Sequence, residues 1–331
     1  MKLYSKEKAI LQMNEWGRKR KPFLFVLSFD HRENILIAKE DLTSSGIHFQ
    51  TPLKSFLFPK EIELPESIVF EKKCIAFSEF SESFNIAKSH LDFGNTYLIN
   101  LTKPSKINTN LSFQQIFQHA QAPYKLWIKD KLVVFSPEIF VKIEDGEISS
   151  YPMKGTIDAA IPNAQQSILE DEKETAEHHT IVDLIRNDLS MVSKNVRVEK
   201  FRFLTEVKTS HKNLLQVSSE IRGDIDIDFF DQLGHHFFKL LPAGSICGAP
   251  KKKTLEVISE AENYDRGFYT GVFGYFDGKS LDSAVMIRYL EQQDEQVVFK
   301  SGGGITTFSQ CKKEYEELKD KVYLPIINQY Q

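Results

Sequence analysis

The stretch Ser149-Ser150-Tyr151-Pro152-Met153-Lys154-Gly155-Thr156 is followed by Lys173-Glu174-Thr175-Ala176-Glu177-His178-His179-Thr180-Ile181-Val182-Asp183-Leu184-Ile185-Arg186-Asn187-Asp188-Leu189-Ser190. The first part reads as a Pro-x-Lys-Gly-Thr turn that holds a lysine. The second lies in a long helical stretch from Asn163 to Arg186. Positions i and i+3 of a helix share a face, so Glu174 and Glu177 point together. The apolar run Ile181-Val182-Asp183-Leu184-Ile185 marks that helix as packed.

Working outward, strands and helices alternate without a βαβ rhythm. Phe23 to Phe29 is an apolar run bounded by Pro22 and Asp30, a buried strand that Asn34 to Ala38 would pair with. Leu42 to Pro65 is polar and proline-containing and reads as loops and edge pieces. Phe80, Phe84, Ala87 and Leu91 fall at helical spacing, with Gly94 as C-cap. Thr96 to Thr102 alternates like a strand. Leu126 to Phe135 and Phe140 to Ile148 read as a hairpin around Pro137, with a second turn at Asp145-Gly146. Val196 to Val207, Gly271 to Phe276, Ser283 to Leu290 and Gln296 to Ser301 read as strands. Phe229 to Leu241, Lys251 to Glu262 and Lys312 to Val322 read as helices. The sum predicts an α+β fold with mostly antiparallel sheets, in one domain over residues 1–331.

Composition narrows the function classes. A chain of 331 residues with net charge -4 exerts no general attraction on nucleic acid or an anionic membrane. The basic run Arg18 to Lys21 reads as a solvated helix end, and Lys251 to Lys253 as either the same or a face toward an anionic substrate. Cys74, Cys247 and Cys311 show no metal-type spacing and fit a reducing cytoplasm. No apolar run suits a signal core or a membrane span. The 26 phenylalanines are expected to fill a β-rich core.

The carboxylates come in pairs. Glu314 and Glu317 repeat the i, i+3 spacing of Glu174 and Glu177, after a triple-glycine turn, Gly302-Gly303-Gly304. Each pair taken alone reads as a solvated helix face. Were the pairs to converge on an anionic substrate, a hard cation would have to sit between them. Mg²⁺ suits such a place, taking a few carboxylates plus waters and substrate oxygens. The triple glycine would let backbone N–H groups approach a ligand closely. Gly244-Ser245-Ile246-Cys247-Gly248-Ala249-Pro250 has the same small-residue character. Arg288, in the apolar strand Ala284 to Leu290, needs either a structural ion pair or a substrate carboxylate. Lys154 would serve as a nucleophile only as a neutral amine, and Glu138 as a general acid only with a raised pKa.

Together these blocks resemble the chorismate-binding enzymes: anthranilate synthase component I, aminodeoxychorismate synthase component I, isochorismate synthase and salicylate synthase. The matching blocks run in family order from about residue 84 to 322: Tyr97 to Thr102, Ser136 to Glu138, Pro152 to Thr156, Lys173 to Asp188, Leu240 to Lys251, Arg266 to Tyr275 and Gly302 to Lys321. The resemblance implies two large antiparallel sheets packed face to face with helices outside, and it implies chorismate and Mg²⁺. It implies that Glu177 and Glu317 ligate the ion directly, with Glu174 and Glu314 holding coordinated water. Glu138 would be the acid that helps the ring hydroxyl leave. Thr156, Ser245, Tyr269, Arg288, Gly302, Gly304 and Lys321 would hold the substrate.

Two positions choose a branch. Leu98 stands where isochorismate and salicylate synthases have a lysine base, and a leucine cannot deprotonate water. Lys154 stands where anthranilate synthases usually have alanine, and a lysine there marks the aminodeoxychorismate branch, which feeds 4-aminobenzoate and folate. In that branch the lysine amine attacks C2 of the ring, ammonia then adds at C4, and the lysine leaves. Gln216 departs from the histidine most members carry, a residue linked to pyruvate elimination. The N-terminal part, about residues 1–80, is shorter than in full-length anthranilate synthase subunits, so no tryptophan-sensing element is expected. No glutaminase centre is recognisable, so a separate glutamine amidotransferase subunit is the expected ammonia source. Anthranilate synthase component I and a non-catalytic chorismate-binding paralogue are the alternatives.

Overall fold

The computed structural model describes residues 2–208 and 213–326. Among these residues eighteen strands form two nine-stranded sheets, every pairing antiparallel. The first sheet reads, edge to edge, Met153–Asp158, Asn213–Asp224, Glu147–Ser150, Ile139–Glu144, Leu281–Val285, Val272–Phe276, Phe23–Leu27 and Asn34–Ala38; Lys194–Lys208 also pairs with Asn213–Asp224. The second reads Gly248–Ala249, Leu98–Thr109, Gln296–Ile305, Tyr289–Gln293, Leu132–Ser136, Tyr124–Ile128, Ile47–Gln50 and Ser55–Phe56; Phe70–Lys73 also pairs with Leu98–Thr109.

The apolar runs explain the layering. Every residue of Phe23–Leu27 is buried, because both faces of the strand are covered. Leu24 and Val26 point between the sheets and meet Ile47, Phe49, Leu126 and Val134 of the second. Phe23, Phe25 and Leu27 point the other way, toward Met13 of the helix Lys6–Arg18 and Phe237 of the helix Leu233–Leu240. In the second sheet Trp127, Val133 and Phe135 turn outward onto Ile116 and Phe117 of the helix Phe113–His119. The result is helix, sheet, sheet, helix, with one apolar core between the sheets and one beyond each. The phenylalanines fill these cores as expected: Phe237 sits edge-on to Phe25 at 5.0 Å and to Phe140 at 5.4 Å. Each such buried ring contributes roughly 1.5–3 kcal/mol relative to exposure.

Several local expectations change. Leu132–Ser136 and Ile139–Glu144 do not form a hairpin at Pro137: the first pairs with Tyr124–Ile128 in the second sheet, the other with Glu147–Ser150 in the first. Likewise Ser283 to Leu290 is not one strand. It divides into Leu281–Val285 and Tyr289–Gln293, which lie in different sheets. A hydrophobic run shows no break where the chain steps from one sheet to the other, because both ends are buried. The edge pieces expected in 42–65 are Ile47–Gln50, whose Ile47 and Phe49 face inward, and Ser55–Phe56, the last strand of the second sheet. The long helical stretch is two helices, Ala164–Glu170 and Glu172–Ser190, separated by an extended Asp171 that caps the second through the Glu174 amide at 2.8 Å. Phe229–Gln232 is a 3₁₀ turn leading into Leu233–Leu240. Gly94 is placed as expected, at φ +85° with its amide on the Leu91 carbonyl, closing the helix Phe77–Asp92.

Candidate active site

The two strands that change sheets do so side by side. The Phe135 amide donates to the carbonyl of Arg288 at 3.1 Å, and the Val285 amide donates to the carbonyl of Glu138 at 3.1 Å. Glu138 and Arg288 are therefore the corner residues of two crossings that are hydrogen-bonded to each other. Arg288 takes the left-handed conformation, φ +53°, which a non-glycine residue adopts only where its surroundings enforce it. It was expected within a strand; the crossing turns its side chain out of the ladder. Its Nη1 donates to the carbonyl of Lys321 at 3.1 Å, and its guanidinium lies 5.0 Å from the centre of the Tyr323 ring.

The Glu138 carboxylate accepts the hydroxyl of Ser245. Burial pushes the Glu138 carboxyl above its ordinary value, against the opposing pull of Ser245 and of the cations Lys154, Lys321 and Arg288. A carboxylic acid held in that way suits general-acid work. Tyr269 is buried in the core between the sheets, and burial raises its phenol. It feels the charges of both Arg288 and Glu138.

Lys154 lies on a strand and not in a turn. Met153–Asp158 pairs with Asn213–Asp224, and the register slips between Lys154 and Thr156. The slip is a bulge at Gly155, whose φ of +76° only glycine adopts without strain. A Cβ there would also stand 3.2 Å from Glu174 Oε2. The bulge breaks the alternation of the strand and aims Lys154 at the acidic helix, where its Nζ lies 3.5 Å from Glu177 Oε2. Both side chains are mostly covered, 22% and 16% exposed. The side chain of Thr156 lies outside the described residues.

The three glycines are likewise within a strand. Gly302, Gly303 and Gly304 pair with Thr102, Leu101 and Asn100. Small residues are needed there: a Cβ on Gly302 would come 2.4 Å from the Leu101 carbonyl oxygen, and one on Gly304 would come 3.1 Å from Lys154 Nζ. On its other edge the strand Gln296–Ile305 is paired only as far as Lys300 among the described residues. From Ser301 onward that edge faces the pocket, where Lys321 Nζ donates to the Gly302 carbonyl at 2.9 Å. Lys321 also meets Glu317 Oε1 at 2.6 Å, one turn back on the helix Cys311–Asp320. Glu314, in the first turn of that helix, is buried.

The structure thus brings Glu138, Lys154, Ser245, Arg288, Gly302, Gly304, Lys321 and the Glu177 and Glu317 carboxylates into one neighbourhood. The donor set of Glu174, Glu177, Glu314 and Glu317 fits a hard divalent ion by chemistry, all carboxylate oxygens from two helices. As the chain stands, Glu177 meets Lys154 and Glu317 meets Lys321. Among the described residues no three His, Cys, Asp or Glu side chains are grouped closely enough to hold an ion by themselves.

Two supporting groups escaped the sequence reading. Lys251 was expected to be solvated or to face a substrate; instead its Nζ meets Asp188 Oδ2 at 2.7 Å. Arg266 is 2% exposed and forms a buried pair with Glu262 at 2.6 Å. It also donates to the carbonyls of Ile246 at 3.0 Å and Asn100 at 2.6 Å, pinning the Ser245 segment and the strand opposite Gly304. Arg266 lies beyond the end of the helix Lys251–Glu262, so its spacing from Glu262 carries no helical pairing signal.

Comparison with known proteins agrees with this geometry. Residues 15–326 match the chorismate binding enzyme family. An uncharacterized PabA-like protein of Haemophilus influenzae is 48% identical over 96% of this chain and 96% of its own. Anthranilate synthase component 1 of Aquifex aeolicus is 33% identical over 73% of this chain and 51% of its own. Aminodeoxychorismate synthase component 1 of Bacillus subtilis is 29% identical over 74% of this chain and 54% of its own. The chain spans about half the length of these two synthases. Among solved structures, anthranilate synthase component I of Streptococcus pneumoniae superposes with a TM-score of 0.65 at 25% identity, covering 77% of this chain and 58% of that one. No helix among the described residues is long and apolar enough to cross a membrane. With its two packed antiparallel sheets, its corner glutamate and its ordered blocks, the chain belongs to the chorismate-binding enzyme family.

Proposed function

We propose that the protein is the synthase subunit that converts chorismate and ammonia to 4-amino-4-deoxychorismate in the cytoplasm, supplying 4-aminobenzoate and folate synthesis. The observation that supports this most is Lys154. Its amine stands over Gly304, beside Glu177 and within the field of Glu138. In this reading the neutral amine attacks C2 of the ring, both ring double bonds shift (C1=C2 to C1=C6 and C5=C6 to C4=C5), and the C4–O bond breaks. Glu138 delivers its proton to the departing hydroxyl, which leaves as water. Ammonia then attacks C4, both double bonds shift back, and the C2–N bond breaks to release Lys154 as the neutral amine; the new C4 ammonium gives up the proton that returns Glu138 to its acid form.

Arg288, Tyr269, Lys321 and the backbone of Gly302 and Gly304 hold the substrate carboxylates, with Ser245 orienting Glu138. Mg²⁺, held through Glu174, Glu177, Glu314 and Glu317, would supply the positive charge that lets a substrate carboxylate approach two acidic helices. Leu98 contacts the same spot as Lys154, its Cδ1 lying 3.3 Å from the Cβ position of Gly304, and it offers no base for activating water. Ammonia comes from a separate glutamine amidotransferase subunit.

A second reading, anthranilate formation, draws support from the resemblance to the Aquifex aeolicus enzyme. One assay separates the two: incubation with chorismate, Mg²⁺ and ammonium, and identification of the product by mass. Aminodeoxychorismate supports the first reading, and anthranilate with release of pyruvate the second.

A further inference from the structure

The segment 241–250 carries Ser245 and is closed on itself by one side chain. Lys251, the first residue of the helix Lys251–Glu262, donates from Nζ to the carbonyl of Leu240 at 2.8 Å. The same Nζ meets Asp188 Oδ2 at 2.7 Å. Leu240 ends the helix Leu233–Leu240, and Asp188 lies in the last turn of Glu172–Ser190. The pair is largely removed from solvent, with the lysine side chain 19% and the aspartate side chain 7% exposed. In such a setting each charge holds the other in place, because either alone would be left desolvated.

Inside the closed segment, Gly244 is pressed against the same acidic helix. A Cβ there would stand 2.8 Å from Leu184 Cδ2 and 3.2 Å from Asp188 Oδ2. The next residue, Ser245, donates its hydroxyl to Glu138. Asp188 therefore touches the Ser245 segment twice, directly at Gly244 and through Lys251 at Leu240, and the segment reaches Glu138 through the Ser245 hydroxyl. The opposite end of the Asp188 helix carries Glu174 and Glu177.

We propose that Asp188 and Lys251 are positioning residues: their ion pair seats the Ser245 hydroxyl on the Glu138 carboxyl and so sets the orientation and protonation of the proton donor. The donor role of Glu138 rests on the function proposed above; the contacts do not. The groups that face Glu138 are Ser245, Lys154, Lys321 and Arg288, with Tyr269 behind. Of these, Ser245 is the one attached to the strut.

The test replaces both charges at once, Asp188→Leu with Lys251→Met, which leaves no buried charge unpaired. It is compared with Ser245→Ala. Glutamate carboxyl carbons are labelled with ¹³C, Glu138 is assigned through Glu138→Gln, and its titration is followed without substrate. Turnover of chorismate with Mg²⁺ and ammonium is measured beside it across pH. A hydroxyl that donates to a carboxylate favours the ionised form. The double variant is therefore expected to move the Glu138 titration to higher pH, in the direction of Ser245→Ala. Its kcat should fall on the order of 10²-fold, as displaced catalytic groups do. Its KM for chorismate should stay within about threefold, since no substrate contact is removed. Asp188→Asn, which keeps an acceptor oxygen for Lys251, gives a smaller shift in the same direction and serves where the double variant does not fold. A Glu138 titration that coincides with the parent's in these variants while Ser245→Ala moves it overturns the proposal. So does a Ser245→Ala titration that coincides with the parent's. Absence of any aminated product from the parent would remove the proposed function and leave the titration result to decide this inference.

Discussion

The Nζ of Lys154 stands over the backbone of Gly304, 3.1 Å from the point where a side chain at that position would begin. The two residues come from different sheets, so an amine of one sheet is seated on the bare backbone of the other. Gly304 has no positive φ to protect, and its lack of a side chain makes room for the amine.

Gly304→Ala is therefore expected to fold, with a melting temperature near the parent's, and to lose most of its chorismate turnover. Lys154→Ala should fold equally well and lose amination altogether. Near-normal turnover of Lys154→Ala at neutral pH would end the covalent reading.

The acidic helices give a metal prediction. Glu177→Gln and Glu317→Gln should each weaken chorismate binding, measured calorimetrically in Mg²⁺, by more than they lower thermal stability. An ion held by few protein groups is sensitive to the loss of any one. Full activity in excess chelator would contradict the metal site.

Glu138 links stability to pH. Its folded-state pKa lies above the unfolded value of 4.5, so the protonated form is the one the fold favours. Its contribution is present below pH 4.5 and is lost as pH rises toward the folded-state pKa. Glu138→Gln should thus match the parent's denaturation midpoint near pH 4 and exceed it at pH 7–8. In the same variant kcat should drop about 10²–10⁴-fold, the usual worth of a positioned proton donor. A midpoint difference that stays constant with pH would show that burial does not govern this carboxyl.

The Glu262–Arg266 pair offers a test of architecture. Both are 2% exposed, and Arg266 reaches two backbone carbonyls beside. Arg266→Met leaves Glu262 buried and unpaired and should cost about 3–5 kcal/mol in urea unfolding. Replacing both residues with apolar ones of similar size should cost much less.

The nitrogen source gives the last prediction. Glutamine alone should yield no product with this chain. Ammonium should, and increasingly so at alkaline pH, because neutral NH₃ is the reactive species. Adding a glutamine amidotransferase subunit should make glutamine effective at neutral pH. Glutamine-dependent turnover by the purified chain would point to an unrecognised amide-hydrolysing centre.

Much of the fold was legible, and the parts that were not share a cause. Helices such as Lys251–Glu262 show their period because one face is wet. Strands covered on both sides lose that contrast, so the steps between sheets at Glu138 and Arg288 left no trace in the hydrophobic pattern. The glycines at 302–304 and the bulge at Gly155 were read as turns because glycine usually marks turns. Here the first group clears space for a lysine and the second redirects one. The candidate site residues were singled out by their order along the chain. Their supports, Asp188 with Lys251 and Glu262 with Arg266, were not singled out, because the partners of each pair come from different elements and a charged residue's sequence neighbours do not show that it is buried.

The paired crossings at Glu138 and Arg288 also govern how the chain must assemble. Each sheet draws central strands from both the middle and the last fifth of the sequence, through Ile139–Glu144 with Leu281–Val285 in one and Leu132–Ser136 with Tyr289–Gln293 in the other. Neither sheet can close until the C-terminal part of the chain has arrived, and when it arrives both close together. Such distant pairings make for slow, highly cooperative folding. The approach of Lys154 to Gly304 comes into being only at that final step, so an incompletely folded or truncated chain holds no partial version of the site.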